Sequence, residues 1–292
     1  MMKSKSSSHI FLYVIYGVGL ICVLLYIRFP TDKFRTFCEQ RIEQSLHDSN
    51  CSIDRIHYSF PTSVTFKKVK IVKANAEQQP VLTIDQFRLR PGIKFWQTFK
   101  IFVELYSGTI KATLLLDREK KSYKLTDIVL NNLNLSEILK DQGIVNRKIT
   151  GNLNGSGRYS AEWNKPDSGQ GKGRIETKSG KIEFLQPILS LSAINFDRIN
   201  VDISLGEQVE LKQGKLRGKN LNADFEGSLT IMTSLLVSRM RLSGLLEPKR
   251  EFLQSHPMEA KMVKQYAKRY KKNVLPYKIG GTVANPTFRF SR

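Results

Sequence analysis

Carboxylates are scarce in this chain: 26 Asp and Glu stand against 47 Lys and Arg in 292 residues, a formal net charge of +21. Histidine and cysteine are scarcer still, at four and three. His9, His47, His57 and His256 have no metal-ligand spacing with carboxylates or cysteines, and no HExxH, GxSxG or Walker sequence occurs. These shortages argue against a zinc hydrolase, a nucleophile-elbow hydrolase and a P-loop NTPase. Gly169-Gln-Gly171-Lys-Gly173 shares only its glycines with a phosphate loop. Arg174 follows, so the run reads as glycines alternating along a strand. Asp197 with Asp202, or Glu207 with Glu210, comes nearest to an acid–base pair, and solvated strand faces and turns account for all four. The expectation is a protein that is not an enzyme, with no catalytic, cofactor-binding or metal residues and no cofactor.

The excess of positive charge is spread along the chain. Lys261 to Lys272 is among its densest patches, and no aromatic–basic signature of RNA recognition stands out. Nucleic acid is therefore not an expected partner, whereas an anionic lipid surface is compatible with the balance.

One stretch has no charge at all. Ile10 to Ile27 reads IFLYVIYGVGLICVLLYI, eighteen residues that as a helix of about 27 Å just cover a bilayer's hydrocarbon core. A cleaved signal peptide would be shorter and followed by an Ala-x-Ala-like triplet. Here Arg28-Phe-Pro30 follows, so the run is expected to stay as an anchor. Tyr13, Tyr16 and Tyr26 suit the interfaces, and Gly17 and Gly19 are too close for a GxxxG pair. Lys3 and Lys5 against Arg28, Lys33 and Arg35 do not decide orientation. The short first segment favours a cytoplasmic tail over 1–9, a transmembrane helix over 10–27 and a β-rich domain outside the cytoplasm over 28–292.

Beyond Pro30 the pattern predicts a helix near 31–47, with Thr31 as cap and Phe34, Phe37, Cys38, Ile42 and Leu46 on one face. It is too polar for lipid and is expected to pack on a sheet. Cys38 and Cys51 either pair in an oxidising compartment or remain two small apolar residues. From Cys51 the period changes to two. Val64-Thr-Phe66, Val69-Lys-Ile71 and Val81 to Arg90 read as strands, and Ile101 to Leu114 as a hairpin about Ser107-Gly108. A short helix is expected over Ser136 to Lys140, stopped by Gly143.

From Ile149 the alternation is regular, with turns expected at Gly206, Gly214, Gly218 and Gly227 and with Leu205 and Phe225 in the core. Such spacing predicts a mainly β protein, a long curved antiparallel sheet with two or three flanking helices. The last helix, near 256–271, starts at Ser255 and Pro257 and carries Met258, Met262, Tyr266 and Tyr270 four apart. Packing on the sheet is preferred for that stripe over lying on anionic lipid.

The order of parts carries a resemblance: anchor, Phe-Pro exit, helix, the segment Phe60-Pro61-Thr62-Ser-Val64-Thr-Phe66-Lys-Lys-Val69-Lys-Ile71, a β-rich body, and the ending Ile279-Gly-Gly-Thr-Val283-Ala-Asn-Pro286-Thr-Phe288. The chain resembles the GspN family, the N component of bacterial type II secretion systems, in its spirochaete and deltaproteobacterial form. The Gly-Thr-x-x-x-Pro ending and the proline before the first long strand also resemble AsmA-like envelope proteins. The first resemblance implies a bitopic inner-membrane protein whose periplasmic domain serves as a scaffold for protein secretion, with other secretion-system components and exported proteins as partners. The second implies a carrier of lipid between membranes.

Overall fold

The computed structural model describes residues 30–46, 49–59, 63–73, 80–92, 96–232, 234–270 and 274–291, together with Tyr13, Val14, Tyr16, Gly17, Gly19 and Leu20. Most of the apolar run 10–27, and the whole tail 1–9, lie outside the described residues. Among those described, no helix is long and apolar enough to cross a membrane.

Among the described residues, fourteen strands form one sheet in strict chain order, every neighbour antiparallel. They are β1 (Ser49–Ser59), β2 (Ser63–Lys73), β3 (Pro80–Pro91), β4 (Thr98–Leu105), β5 (Gly108–Asp117), β6 (Ser122–Asn134) and β7 (Ile149–Glu162), then β8 (Lys165–Ile188), β9 (Leu191–Leu205), β10 (Val209–Gly218), β11 (Leu221–Thr230), β12 (Arg239–Pro248), β13 (Leu275–Gly281) and β14 (Pro286–Phe290). Among the described residues from Pro30 onward, four helices accompany them: α1 (Thr31–Ser45), α2 (Leu135–Asp141), α3 (Arg250–Ser255) and α4 (Pro257–Tyr270). The mainly β, antiparallel expectation holds. The helices number more than foreseen because α3, one residue ahead of α4, has too few turns to show a period.

The turns explain how so long a meander reverses at each hairpin. β4 and β5 meet at Tyr106 and Ser107, with φ of +51° and +57°, and Leu105 pairs directly with Gly108. The expected turn was one residue late: Gly108 already belongs to the strand. Two successive left-handed residues make a type I′ turn, whose twist matches the flanking strands. Left-handed backbone is costly for a bulky residue, and here packing holds it. Tyr106 is buried with Leu105 and Leu133, and its hydroxyl pairs with Asp141, so burial and that carboxylate push its pKa up to about 12. Leu189 and Ser190 repeat the arrangement between β8 and β9, with Leu189 in the largest core cluster.

Gly214 and Gly227 lie inside strands rather than in turns. At Gly214 the ladder between β10 and β11 skips a step, and Phe225 lies so close that a Cβ would sit 2.4 Å from its ring. Gly206, directly after β9, and Gly218, the last residue of β10, do sit at strand ends, where turns were expected.

At the N-terminal end, α1 packs Phe34, Cys38 and Ile42 against Cys51, Ile53, Ile56 and Val69. Phe37 and Leu46 point away and are exposed, against expectation: Phe37 falls outside the i, i+4, i+8 row of the three packed residues. Pro30, not Thr31, occupies the cap position and offers no side-chain cap; its carbonyl accepts from Phe34. Cys38 and Cys51 are free thiols within this one cluster.

β1 is an edge strand, and α1 covers its edge. Glu43 Oε1 accepts the Cys51 amide at 3.0 Å and Glu39 Oε1 the Ile53 amide at 2.8 Å. Four helical residues advance about 6.0 Å and two strand residues about 6.6 Å, so glutamates at i and i+4 match alternate edge amides.

At the other end, α3 and α4 roof the sheet. Phe252 and Val263 join Phe196, Leu216, Leu221, Leu246, Leu275 and Tyr277 in the main core. Within α4 the residue that enters the core is Val263, whereas Met258 is 81% exposed. The stripe read through Met258 therefore does not start on the packed face; the side chains of Met262, Tyr266 and Tyr270 lie outside the described residues. Pro257 opens α4 as expected, and Ser255 is the last residue of α3.

Candidate functional site

Directly paired residues of neighbouring strands share a face, so the registers trace each face across the sheet. One row runs Leu125–Tyr159–Gly171–Leu205 from β6 to β9. It continues through Val209 and Leu229 to Met240 on β12. In the other direction it passes Leu114 and Phe99 to Pro91 on β3. A second row beside it reads Ile128–Gly157–Gly173–Ile203 and then Leu211–Gly227–Leu242. Neither row contains a charged residue.

Further along the same strands, still on this face, the row Leu133–Leu153–Thr177–Ile199–Leu216–Ala223–Leu246–Leu275 differs in one respect. There Leu133, Thr177, Leu216, Ala223, Leu246 and Leu275 are all buried, the last fully. α2, α3 and α4 lie over this margin: Ile138 packs on Leu133, and Phe252 and Val263 on the Leu216 to Leu275 section. No described element roofs the first two rows. Leu114, Leu125, Leu205, Leu211, Leu229 and Leu242 are all only half-buried. Of the two residues expected in the core, Phe225 packs against the main core over Gly214, whereas Leu205 lies half-buried on this uncovered stripe. From β3 to β12 the first row crosses nine strand spacings, about 43 Å along the sheet.

The opposite face is polar and paired. Arg174 holds Asp202 through two hydrogen bonds of 2.7 and 3.2 Å, and this contact lowers the Asp202 pKa. Arg198 meets Glu176 at 3.0 Å, Lys212 meets Glu210 at 2.7 Å and Arg217 meets Asp224 at 2.8 Å. Such solvated pairs are screened by water and add little to stability. Asp202 and Glu210, half of each acid–base pair considered above, are thus structural partners of cations. Asp197, Glu207 and His57 are exposed.

The contact between Ser255 and His256 is not a nucleophile pair. His256 Nδ1 lies 2.9 Å from the Phe252 carbonyl, an acceptor only, so Nδ1 carries the proton and has no lone pair to offer Ser255. Among the described residues, no three His, Cys, Asp or Glu side chains converge as metal ligands. No protein-family model matches the chain, and no curated protein or solved structure matches it either.

Sequence reasoning found the alternation that builds the apolar face but not its division. Which row is roofed depends on where α2 to α4 land, and alternation within a strand carries no signal of that.

Proposed function

We propose that the protein is a membrane-anchored, non-enzymatic lipid-binding protein, in which residues 28–292 lie in the periplasm and the uncovered stripe takes acyl chains. The observation that carries this reading is the pair of apolar rows crossing from β3 to β12 with no element over them. An uncovered apolar surface of this extent marks a binding surface. Each Å² it exposes to water costs about 25 cal/mol, recovered when a hydrocarbon chain covers it. Its length of about 43 Å exceeds the ~30 Å of a bilayer's hydrocarbon core, ample for a whole acyl chain. The apolar run 10–27 as a single anchor in the inner membrane would hold the body beside its lipid supply. Tyr13, Val14, Tyr16 and Leu20 of that run are helical and exposed, as lipid-facing side chains would be. The reading agrees with the AsmA-like resemblance.

A second reading keeps the anchor and gives the stripe to protein partners: a scaffold of a type II secretion system. What favours it is the likeness of the Phe60 to Ile71 and Ile279 to Phe288 segments to the GspN family.

Mass spectrometry of lipid co-extracted with the full chain in mild detergent separates the two. Phospholipid should copurify with the native chain and be lost from a Leu205→Asp/Leu229→Asp variant that retains its fold. Equal lipid in both would reject the carrier. A deletion strain that lost protein secretion, with normal outer-membrane integrity, would support the scaffold.

A further inference from the structure

The polar face carries a different feature at its C-terminal corner. Lys278 on β13 stands directly opposite Arg289 on β14. Two residues on, Gly280 stands opposite Thr287, and the isolated bridge Arg239–Thr282 continues the β12–β13 register. That register sets Arg241 opposite Gly280, since Leu242 pairs with Ile279. Arg239, Arg241, Lys278 and Arg289 therefore share one face and surround a glycine. All four line a concavity of about 720 Å³ whose lining includes no carboxylate. None of the four makes an ion pair among the described residues, whereas Arg174, Arg198 and Arg217 on the same face each have a carboxylate. Like charges directly opposite on a sheet repel; all four are exposed, so water screens that repulsion, but with no carboxylate paired to any of them an anion joining them is favourable.

The floor of the concavity is open and its walls are fixed. A Cβ on Gly280 would meet only Thr287 Oγ1, at 3.6 Å. In the β13–β14 turn, Asn285 donates to Thr282 Oγ1 at 3.1 Å. Val283 and Ala284 donate to the carbonyls of Ser238 and Leu236, both at 3.0 Å. Ser238, fully buried, in turn donates to the Ser234 carbonyl at 2.8 Å and accepts from Met232 at 3.1 Å. This network fixes the chain on both sides of the corner, immediately before Arg239 and after Gly281. Three guanidinium groups, each a planar fork of donors, suit the tetrahedral oxygens of phosphate better than a single carboxylate.

We propose that this corner is a binding site for a phosphate group, with Arg239, Arg241, Lys278 and Arg289 as its ligands and Gly280 as the space it enters. The shared chemistry is a phosphomonoester, diphosphate or phosphodiester, carried by a lipid headgroup or by a soluble solute. The site lies on the opposite face from the apolar stripe and does not rest on the acyl-chain reading.

Calorimetric titration of the full chain in nonionic detergent micelles tests it with two probes: inorganic pyrophosphate, and phosphatidylglycerol doped into the micelles. One saturable site is expected for at least one of them. Arg241→Gln/Arg289→Gln should weaken it about tenfold or more, the scale of losing charge-assisted hydrogen bonds. Gly280→Leu, which fills the space without removing charge, should do likewise with an unchanged melting temperature. Arg158→Gln/Lys172→Gln, a charge-matched pair on the same face, should leave binding intact. Pyrophosphate binding without competition from phosphatidylglycerol identifies a soluble ligand, and the converse a headgroup. Absence of a saturable site for either probe, an equal loss in the Arg158/Lys172 variant, or full binding by Gly280→Leu would overturn the site.

Discussion

Glu39 and Glu43 are two surface carboxylates whose role is legible only in three dimensions. In the chain they are polar positions between apolar ones; in the fold they accept from the Ile53 and Cys51 amides of the edge strand. Glu39→Ala/Glu43→Ala should cost about 1–3 kcal/mol in denaturant unfolding and raise self-association in light scattering, because it strips the cover from an edge. Glu39→Gln/Glu43→Gln keeps an acceptor and should fall between the variant and the native protein. Beside them, Cys51 is a buried thiol. Burial, with Glu39 and Glu43 close by, pushes its pKa up to about 11 from an ordinary 9.0. A raised pKa means that the folded state favours the protonated thiol. Its contribution to stability is therefore complete below pH 9 and is lost as pH climbs through about 11. Melting temperature should decline over that window less steeply in Cys51→Ala, and maleimide should label Cys51 slowly at neutral pH.

Among the elements, the roofing helices separate sites that look alike in sequence. Leu205 and Leu246 are both leucines in alternating strands. Leu246 is 3% exposed beneath α3 and α4, and Leu205 lies half-open on the stripe. Leu246→Ala should cost about 2–5 kcal/mol, and Leu205→Ala well under half of that, by chemical denaturation. The element pattern was readable wherever one physical signal dominated. Period two marked the strands, Gly143 closed α2 with a φ of +77°, and Pro257 opened α4. Reading failed where a tertiary contact outweighed local preference. Leu189-Ser190 turns the chain without glycine or asparagine because Leu189 is held in the core. Gly227 sits in a strand, with φ of +154°, because Arg241 O of β12 would lie 2.0 Å from any Cβ there. The phosphate corner was half legible. The Gly-Thr-x-x-x-Pro ending stood out as a motif, but its arginines come from β12 and β14, fifty residues apart in the chain.

At the scale of the whole molecule, the two faces divide the work. The apolar face supplies both the core and the stripe, and the polar face carries the ion pairs and the unpaired cationic corner. A Leu205→Asp/Leu229→Asp variant should therefore melt within a few degrees of the native protein while losing bound lipid. Leu246→Asp should fail to fold, because it places an unpaired charge under the helices. Differential scanning fluorimetry with lipid analysis of the same samples checks both.

Strict chain order across the fourteen strands has a further consequence. Every strand pairs in the ladder only with its predecessor and its successor, so inserting or deleting one hairpin would disturb a single seam. Each added hairpin would lengthen the stripe by about 10 Å, two strand spacings, and leave the helices at either end in place. Reach, in such a body, is a quantity evolution can adjust in fixed increments, much as a ladder is extended by rungs.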